Sequence, residues 1–317
     1  MRTKKGVLFG LDGSDFAKQA LEAVAGLLKS SPDFHLTLFH GAAEPDFAMF
    51  SDLFEEDPDA MAKHRAKWQT NARQVLENAA ASLTNSGFDP DALSTVFDGK
   101  CSDPTGAMLK QTRQEGLDTL AVARWGKATV SRQVIGSVTY RLSQLTDDLA
   151  LWVIDPRICS HNVLITLVGA PVSQRVVDYA VRYFGHLKES TFTLMHVTPS
   201  IPPQYWESQD IASLDGLAKQ EKMVQWLKAY TENVKAVAED ARKKLVAAGI
   251  PGHKVIFKLE PQKKGIARDI CRELEEGDHG ILVMGRRGYK DIKEFRLGSK
   301  AHKMLLNGRT FLTCLVD

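Results

Sequence analysis

Two short segments of this chain carry residue types suited to holding an anion. Residues 123–137 read ARWGKATVSRQVIGS and residues 285–299 read GRRGYKDIKEFRLGS, and both fit small-x2-Gly-x9-Gly-Ser. Each follows an apolar strand-like run, LDTLAVA or GILVM, and each precedes a short helical stretch. A glycine-bearing loop between a strand and a helix start suits phosphate. Glycine lets the backbone approach the anion closely, and the first amides of the helix have no intrahelical acceptor. The second copy is also basic: between Gly285 and Arg309, eight Lys or Arg stand against Asp291 and Glu294. Such a surplus would hold a phosphate chain. With no aromatics but Tyr289 and Phe295, the run does not read as a nucleic-acid platform.

The elements that must position these loops also recur. VLFGLDGS from Val7 matches VLITLVGA from Val163, 156 residues further on, and the strands ending in His40 and His196 keep that spacing. From the glycine loops onward the spacing is 162, matching Gly126 to Gly288 and Asp155 to Asp317. The second copy therefore holds about six extra residues, between its second and third strands. In the first copy the pattern predicts strands near 7–12, 35–41, 92–98, 117–123 and 149–155, with helices near 15–30, 59–85, 103–115 and 136–146. Ser14 or Asp15 caps the first helix, which presents Ala17, Ala20, Leu21, Val24 and Leu28 on one face. The long helix of the second copy carries the stripe Leu227, Tyr230, Val234, Val237, Ala241 and Leu245.

Short apolar strands without alternation, separated by helices, imply a parallel sheet covered on both faces. The expected class is α/β, with two doubly wound parallel five-stranded sheets in domains 1–156 and 157–317. Insertions at 42–58 and 198–220 follow the second strand of each half, at the end where a ligand crevice would open, and read as surface loops or lids. The 317 residues suit two domains of roughly 150 each.

A formal charge of +2 argues against a global polyanion-binding surface. The four cysteines form no CxxC pair, which favours a reducing compartment, and the apolar run near the start is too short for a signal-peptide core. No window approaches the ~20 apolar residues of a membrane helix. A cytoplasmic protein is expected. His40 and His196 read as hydrogen-bonded core residues rather than metal ligands, and Trp68, Trp206 and Trp226 as packing residues on or near the long helices. Cys101 precedes the third helix, whose dipole would lower its pKa; the plainer reading is a small buried hydrophobe. No Walker loop, His-Glu metal motif, nucleophile elbow or acid–base pair is present.

On Asp12-Gly13-Ser14 at the first strand end, the strands ending in His40 and His196, and the glycine loop written twice, the chain resembles a tandem universal stress protein. The resemblance covers nearly the whole length. It implies a Rossmann-like fold of the adenine nucleotide alpha hydrolase type, with the halves packed as a pseudo-dimer through LALWVID and FLTCLVD. It also implies ATP or AMP as ligand, Mg2+ accompanying ATP, and no redox cofactor. The loop would wrap phosphates and ribose, and the acid after the first strand would contact the nucleoside. Carried over by position, the implied nucleotide-binding residues are Asp12, Gly126, Gly136 and Ser137 in the first half and Gly285, Gly288, Gly298 and Ser299 in the second.

Two positions depart from that pattern. Ala123 stands where the first loop glycine belongs, and Val168 stands where the acid belongs. Loss of a charged hydrogen-bond partner costs about 1.5–3 kcal/mol, or ten- to a hundredfold in affinity. The second half is thus favoured for phosphate and the first for nucleoside recognition. The expected function is a non-enzymatic, nucleotide-binding stress-response or signalling protein. Its partners would be an adenine nucleotide, a protein of unknown identity and a second copy in a homodimer, with no nucleic acid and no membrane. Two alternatives stand beside it: a partner-recognition module with decayed sites, and a slow ATP hydrolase.

Overall fold

The computed structural model describes residues 4–31, 34–42, 58–126, 135–146, 148–157, 160–198, 216–288, 297–307 and 312–317. Two compact units emerge, residues 1–159 with 309–315 and residues 160–308 with 316–317. Most of the inserted segments expected as loops or lids (43–57 and 199–215), the interiors of both glycine loops and Trp206 lie outside the described residues; residues 216–220 of the second expected insertion form the start of the helix Gly216–Ala247 instead.

The first unit alternates strand and helix: β1 (Lys4–Gly10), α1 (Asp15–Leu28), β2 (His35–Gly41), α2 (Pro58–Asn85), β3 (Leu93–Asp98), α3 (Pro104–Gln114), β4 (Leu117–Ala123), α4 (Ser137–Leu145) and β5 (Ala150–Ile154). Strands run parallel in the order β3-β2-β1-β4-β5, with Val7 beside Leu36 and Thr119, and Leu120 beside Leu151. Val7, Leu8 and Phe9 are all fully buried, so both faces of β1 are covered. That is why these strands read as continuous apolar runs. Ser14 caps α1, its Oγ accepting from the Ala17 amide at 3.2 Å, and the buried face of the helix includes the predicted Ala17, Ala20, Leu21, Val24 and Leu28.

The second unit repeats the plan with β6 (Val163–Thr166), α5 (Ala170–Phe184), β7 (Phe192–Thr198), α6 (Gly216–Ala247), β8 (Val255–Pro261), α7 (Ile266–Glu276), β9 (Ile281–Gly285) and α8 (Ser299–Asn307). Its parallel order is β9-β6-β7-β8. Helices α5 and α6 pack together, as do α7 and α8. The long helices of both units stop in the same way. Gly87 and Gly249 have φ of 83° and 92°, and the next amides, Phe88 and Ile250, donate back to Leu83 and Leu245 at 3.0 and 3.1 Å.

The final strand, β10 (Leu312–Val316), pairs antiparallel with β5, setting Cys314 opposite Trp152 and Thr313 opposite Val153. This pairs the runs LALWVID and FLTCLVD, and it gives β5 a hydrogen-bonding neighbour in place of an open edge. Trp152 and Cys314 are fully buried. Burial also pushes the Cys314 thiol well up. At Cys101 the same effect prevails over any helix dipole: burial first, then Asp98 and Asp103, raise the thiol above its usual value. Trp152→Ala should cost about 3–5 kcal/mol by leaving a cavity beside β10. Urea denaturation with tryptophan-independent detection, such as far-ultraviolet circular dichroism, measures that loss.

Candidate functional site

In each unit the first strand lies between strands reached by opposite crossovers, β1 between β2 and β4, and β6 between β7 and β9. A crevice must open at the carboxyl ends of such strands. The backbone around it is built twice. Leu11 donates to Phe39 O and Leu167 to Met195 O, each at 2.8 Å. His40 Nδ1 bonds Leu11 O at 2.7 Å and His196 Nδ1 bonds Leu167 O at 2.8 Å. A carbonyl only accepts, so both rings carry a proton on Nδ1. His196 Nε2 lies 2.8 Å from the Tyr230 hydroxyl. Burial lowers the pKa of His196, keeping the ring neutral, so Nε2 accepts from the tyrosine. The expectation of hydrogen-bonded core histidines describes both residues.

The glycine loops begin and end on matching hydrogen bonds. Arg124 N donates to Ile154 O and Arg286 N to Val316 O, each at 2.7 Å. The last loop glycine then donates to the arginine carbonyl: Gly136 to Arg124 at 3.0 Å and Gly298 to Arg286 at 2.9 Å. A β-carbon on Gly298 would sit 3.0 Å from Arg286 O, which explains the glycine there. The next residues, Ser137 and Ser299, open α4 and α8 and are exposed.

A β-carbon on Gly285 would meet Val172 Cγ1 at 2.6 Å. The residue matching Val172 in the first unit is Phe16, whose ring meets Trp125 edge-on at 5.7 Å. Ala123, at the position of Gly285, is buried at the end of β4.

The two units differ most at the second loop glycine. Asp12 Oδ1 accepts from the Ser14 amide at 2.9 Å and from the Ser14 hydroxyl at 2.6 Å. Its other oxygen lies where a β-carbon on Gly126 would come within 2.5 Å. The first unit thus brings Asp12, Gly126 and Gly136 together, with the acid set against the glycine. Trp125, 4% exposed, lies beneath the Arg157 guanidinium at 5.3 Å, and Arg157 pairs with Asp155 at 2.6 Å. At Gly288 no atom of the described residues lies within 4 Å of the corresponding β-carbon position. There the structure opens into a cavity of about 1220 Å³.

That cavity is lined by Val168, Gly285, Gly288, Gly298 and Ser299, so the second unit gathers all four of its predicted glycine-loop residues. Among the described residues its lining holds five Lys or Arg (Arg286, Arg287, Lys300, Lys303 and Lys244) against one acid, Asp240. Arg286 is fully buried, and Arg287 pairs with Asp317. Lys244 is engaged by Asp178 at 2.5 Å. Where the first unit has Asp12, Val168 presents an aliphatic side chain, and its amide donates to Ser173 Oγ at 2.9 Å.

Sequence reasoning missed the far wall. Tyr230, Val234, Val237 and Ala241 of α6 belong to the stripe assigned to packing, yet they also line the cavity, with Asn233 and Asp240 between them. The signal was present in the polar residues interleaved with that stripe. The buried Arg286, matched by Arg124, was counted only as part of a basic run.

A duplicated doubly wound α/β unit with a strand–glycine loop–helix crevice defines a nucleotide-fold class. The model of the universal stress protein family matches twice, at residues 4–147 and 160–309, and the chain belongs to that family. It is 22% identical over 142 residues to universal stress protein YxiE of Bacillus subtilis, spanning 44% of this chain and 92% of that protein. Among solved structures it resembles a universal stress protein from Archaeoglobus fulgidus, with a TM-score of 0.63, 15% identity and 98% of each chain covered. It also resembles the functionally unknown protein PA1789 from Pseudomonas aeruginosa, with a TM-score of 0.59, 12% identity and coverage of 98% of this chain and 92% of that one.

Gly126→Ala must shift the Asp12 carboxylate, whose other oxygen holds Ser14, and should cost about 1–2 kcal/mol, whereas Gly288→Ala enters space left open by the described residues and should cost under about 0.5 kcal/mol. Paired denaturation curves separate the two. A second prediction concerns acid. The His196 pKa is depressed in the folded state, so below about 6.5 the unfolded chain binds a proton that the folded chain resists. Its contribution is present above that pH and is lost as pH falls toward the folded value. The urea midpoint should drop between pH 7.5 and 5.5, and His196→Gln should flatten that drop.

Proposed function

We propose that this protein binds a nucleotide, ATP or AMP, in the crevice of the second unit, and that binding changes the surface it offers to a protein partner. The function is one of stress response or signalling in the cytoplasm, without turnover of the ligand. Domains 1–156 and 157–317 each supply one crevice, and the two have diverged.

The observation that carries this reading is the cavity at Gly288, open among the described residues and bounded by the first turn of α8 and by a basic lining. Helix geometry leaves the amides of that turn without intrahelical acceptors, so an anion there gains hydrogen bonds and charge together. Among the described residues Asp240 is the one carboxylate in the lining. Mg2+ accompanying ATP would be held chiefly by phosphate oxygens. In the first unit, Asp12 lies against Gly126 and Trp125 is packed beneath Arg157, which favours a structural role for that loop.

Ligand that binds only the folded state stabilises it by about 2.7 kcal/mol at a hundred times its Kd. For a unit of this size that is a rise of roughly 5–10 °C in Tm. Differential scanning fluorimetry of the full chain with millimolar ATP should show such a rise, and Gly288→Glu, which sets a carboxylate in the phosphate position, should remove it. An unchanged Tm in the wild-type chain would sink the proposal.

A further inference from the structure

The crevice of the second unit is unequal along its length. At the end formed by β6 and β7, the fixed polar groups are already engaged within the protein. The Leu167 amide donates to Met195 O, the Val168 amide to Ser173 Oγ, and both ring nitrogens of His196 are taken by Leu167 O and Tyr230. The side chain at 168 has no acceptor to offer. Met195, Val197 and Val177, which also line the cavity, are apolar and buried, whereas the polar Gln174, Asn233 and Asp240 of the lining are exposed to solvent. At the opposite end lie Gly288, the first turn of α8, Arg286 and the exposed Lys300 and Lys303.

We infer that this crevice selects its ligand by the length of the phosphate chain and accepts any base, so that nucleoside triphosphates as a class are its ligands. The inference rests on the proposed nucleotide site and narrows it. Apolar walls hold a flat base by contact area, which purines and pyrimidines share, and apolar pockets discriminate only about 10–200-fold for a missing methylene. Strong discrimination between bases requires buried groups that are left unpaired by the wrong one. Here those groups are paired already. Each added phosphate, in contrast, meets charge and amide donors at the α8 end.

Isothermal titration calorimetry of the full chain with ATP, GTP, CTP, AMP and inorganic tripolyphosphate tests this. The three triphosphates should bind within about threefold of one another, and AMP at least tenfold more weakly. Tripolyphosphate should compete with ATP. Val168→Asp, which restores an acceptor at a half-buried position, should raise the affinity for ATP relative to tripolyphosphate by about tenfold. Binding of ATP at least tenfold tighter than of GTP and CTP would overturn the inference while leaving nucleotide binding intact, as would AMP matching ATP. An ATP-to-tripolyphosphate ratio unmoved by Val168→Asp would also overturn it, by showing that residue 168 does not face the nucleoside. If no ligand binds, the proposed function falls and this inference with it.

Discussion

The amide of the last loop glycine donates to the carbonyl of the arginine that follows the strand, Gly136 to Arg124 and Gly298 to Arg286, and this closure fixes where the next helix begins. The arginine amide is itself bonded to the end of a neighbouring strand, Ile154 in one unit and Val316 in the other. Strand, loop and helix start are thereby tied through backbone groups, and in the first unit Thr139 Oγ1 adds a bond to Ala123 O at 3.0 Å. A side chain at 298 would crowd the carbonyl that makes the bond. The direction in which the first amides of α4 and α8 point is a consequence of this tie, and so is the width of the crevice in front of them.

With the backbone held alike, the two units differ in what fills the space. In the first, the residue after the arginine is Trp125, which packs on Phe16 and lies beneath Arg157. Asp155 at the end of β5 then takes its cation from Arg157, two residues further on. In the second, the same loop position is Arg287, which supplies the cation to Asp317. One exchange, tryptophan for arginine, leaves the strand-end aspartate paired but from a different side. Asp12 against Gly126, and Val168 lining the same cavity as a Gly288 that no described residue crowds, complete the divergence.

The element plan was legible because each signal had a single physical cause. Continuous apolar strands followed from helices on both faces, and Ser14 was readable as a cap because α1 begins one residue later. Spacings of 156 and 162 located the repeat without any structure. The roles of individual site residues were less legible. Whether Asp12 faces a ligand or a glycine depends on a distance across the crevice, from β1 to the loop after β4, that no local pattern encodes. The close approach of Val172 to the β-carbon position of Gly285 spans 113 positions and was equally hidden in the sequence. The stripe on α6 was read as packing alone because periodicity reports which face turns inward, not whether the interior it meets is filled.

The neutrality of His196 bears on how a ligand would lie. A protonated ring beside Tyr230 would place positive charge at the β7 end of the cavity, and an anion would then find cations at both ends. Burial keeps that ring neutral, so the positive charge of the lining is concentrated toward the α8 end, apart from Lys244, which Asp178 engages. Two unit charges 4 Å apart interact by about 4 kcal/mol at an effective dielectric constant of 20. Matching that by apolar contact takes roughly 160 Å² of buried surface at about 25 cal/mol per Å². In the proposed complex a base and a phosphate chain would therefore not compete for the same end. The phosphates would go to Gly288 and α8 and the base to the apolar walls beneath α6, an orientation set by where charge is withheld as much as by where it is supplied.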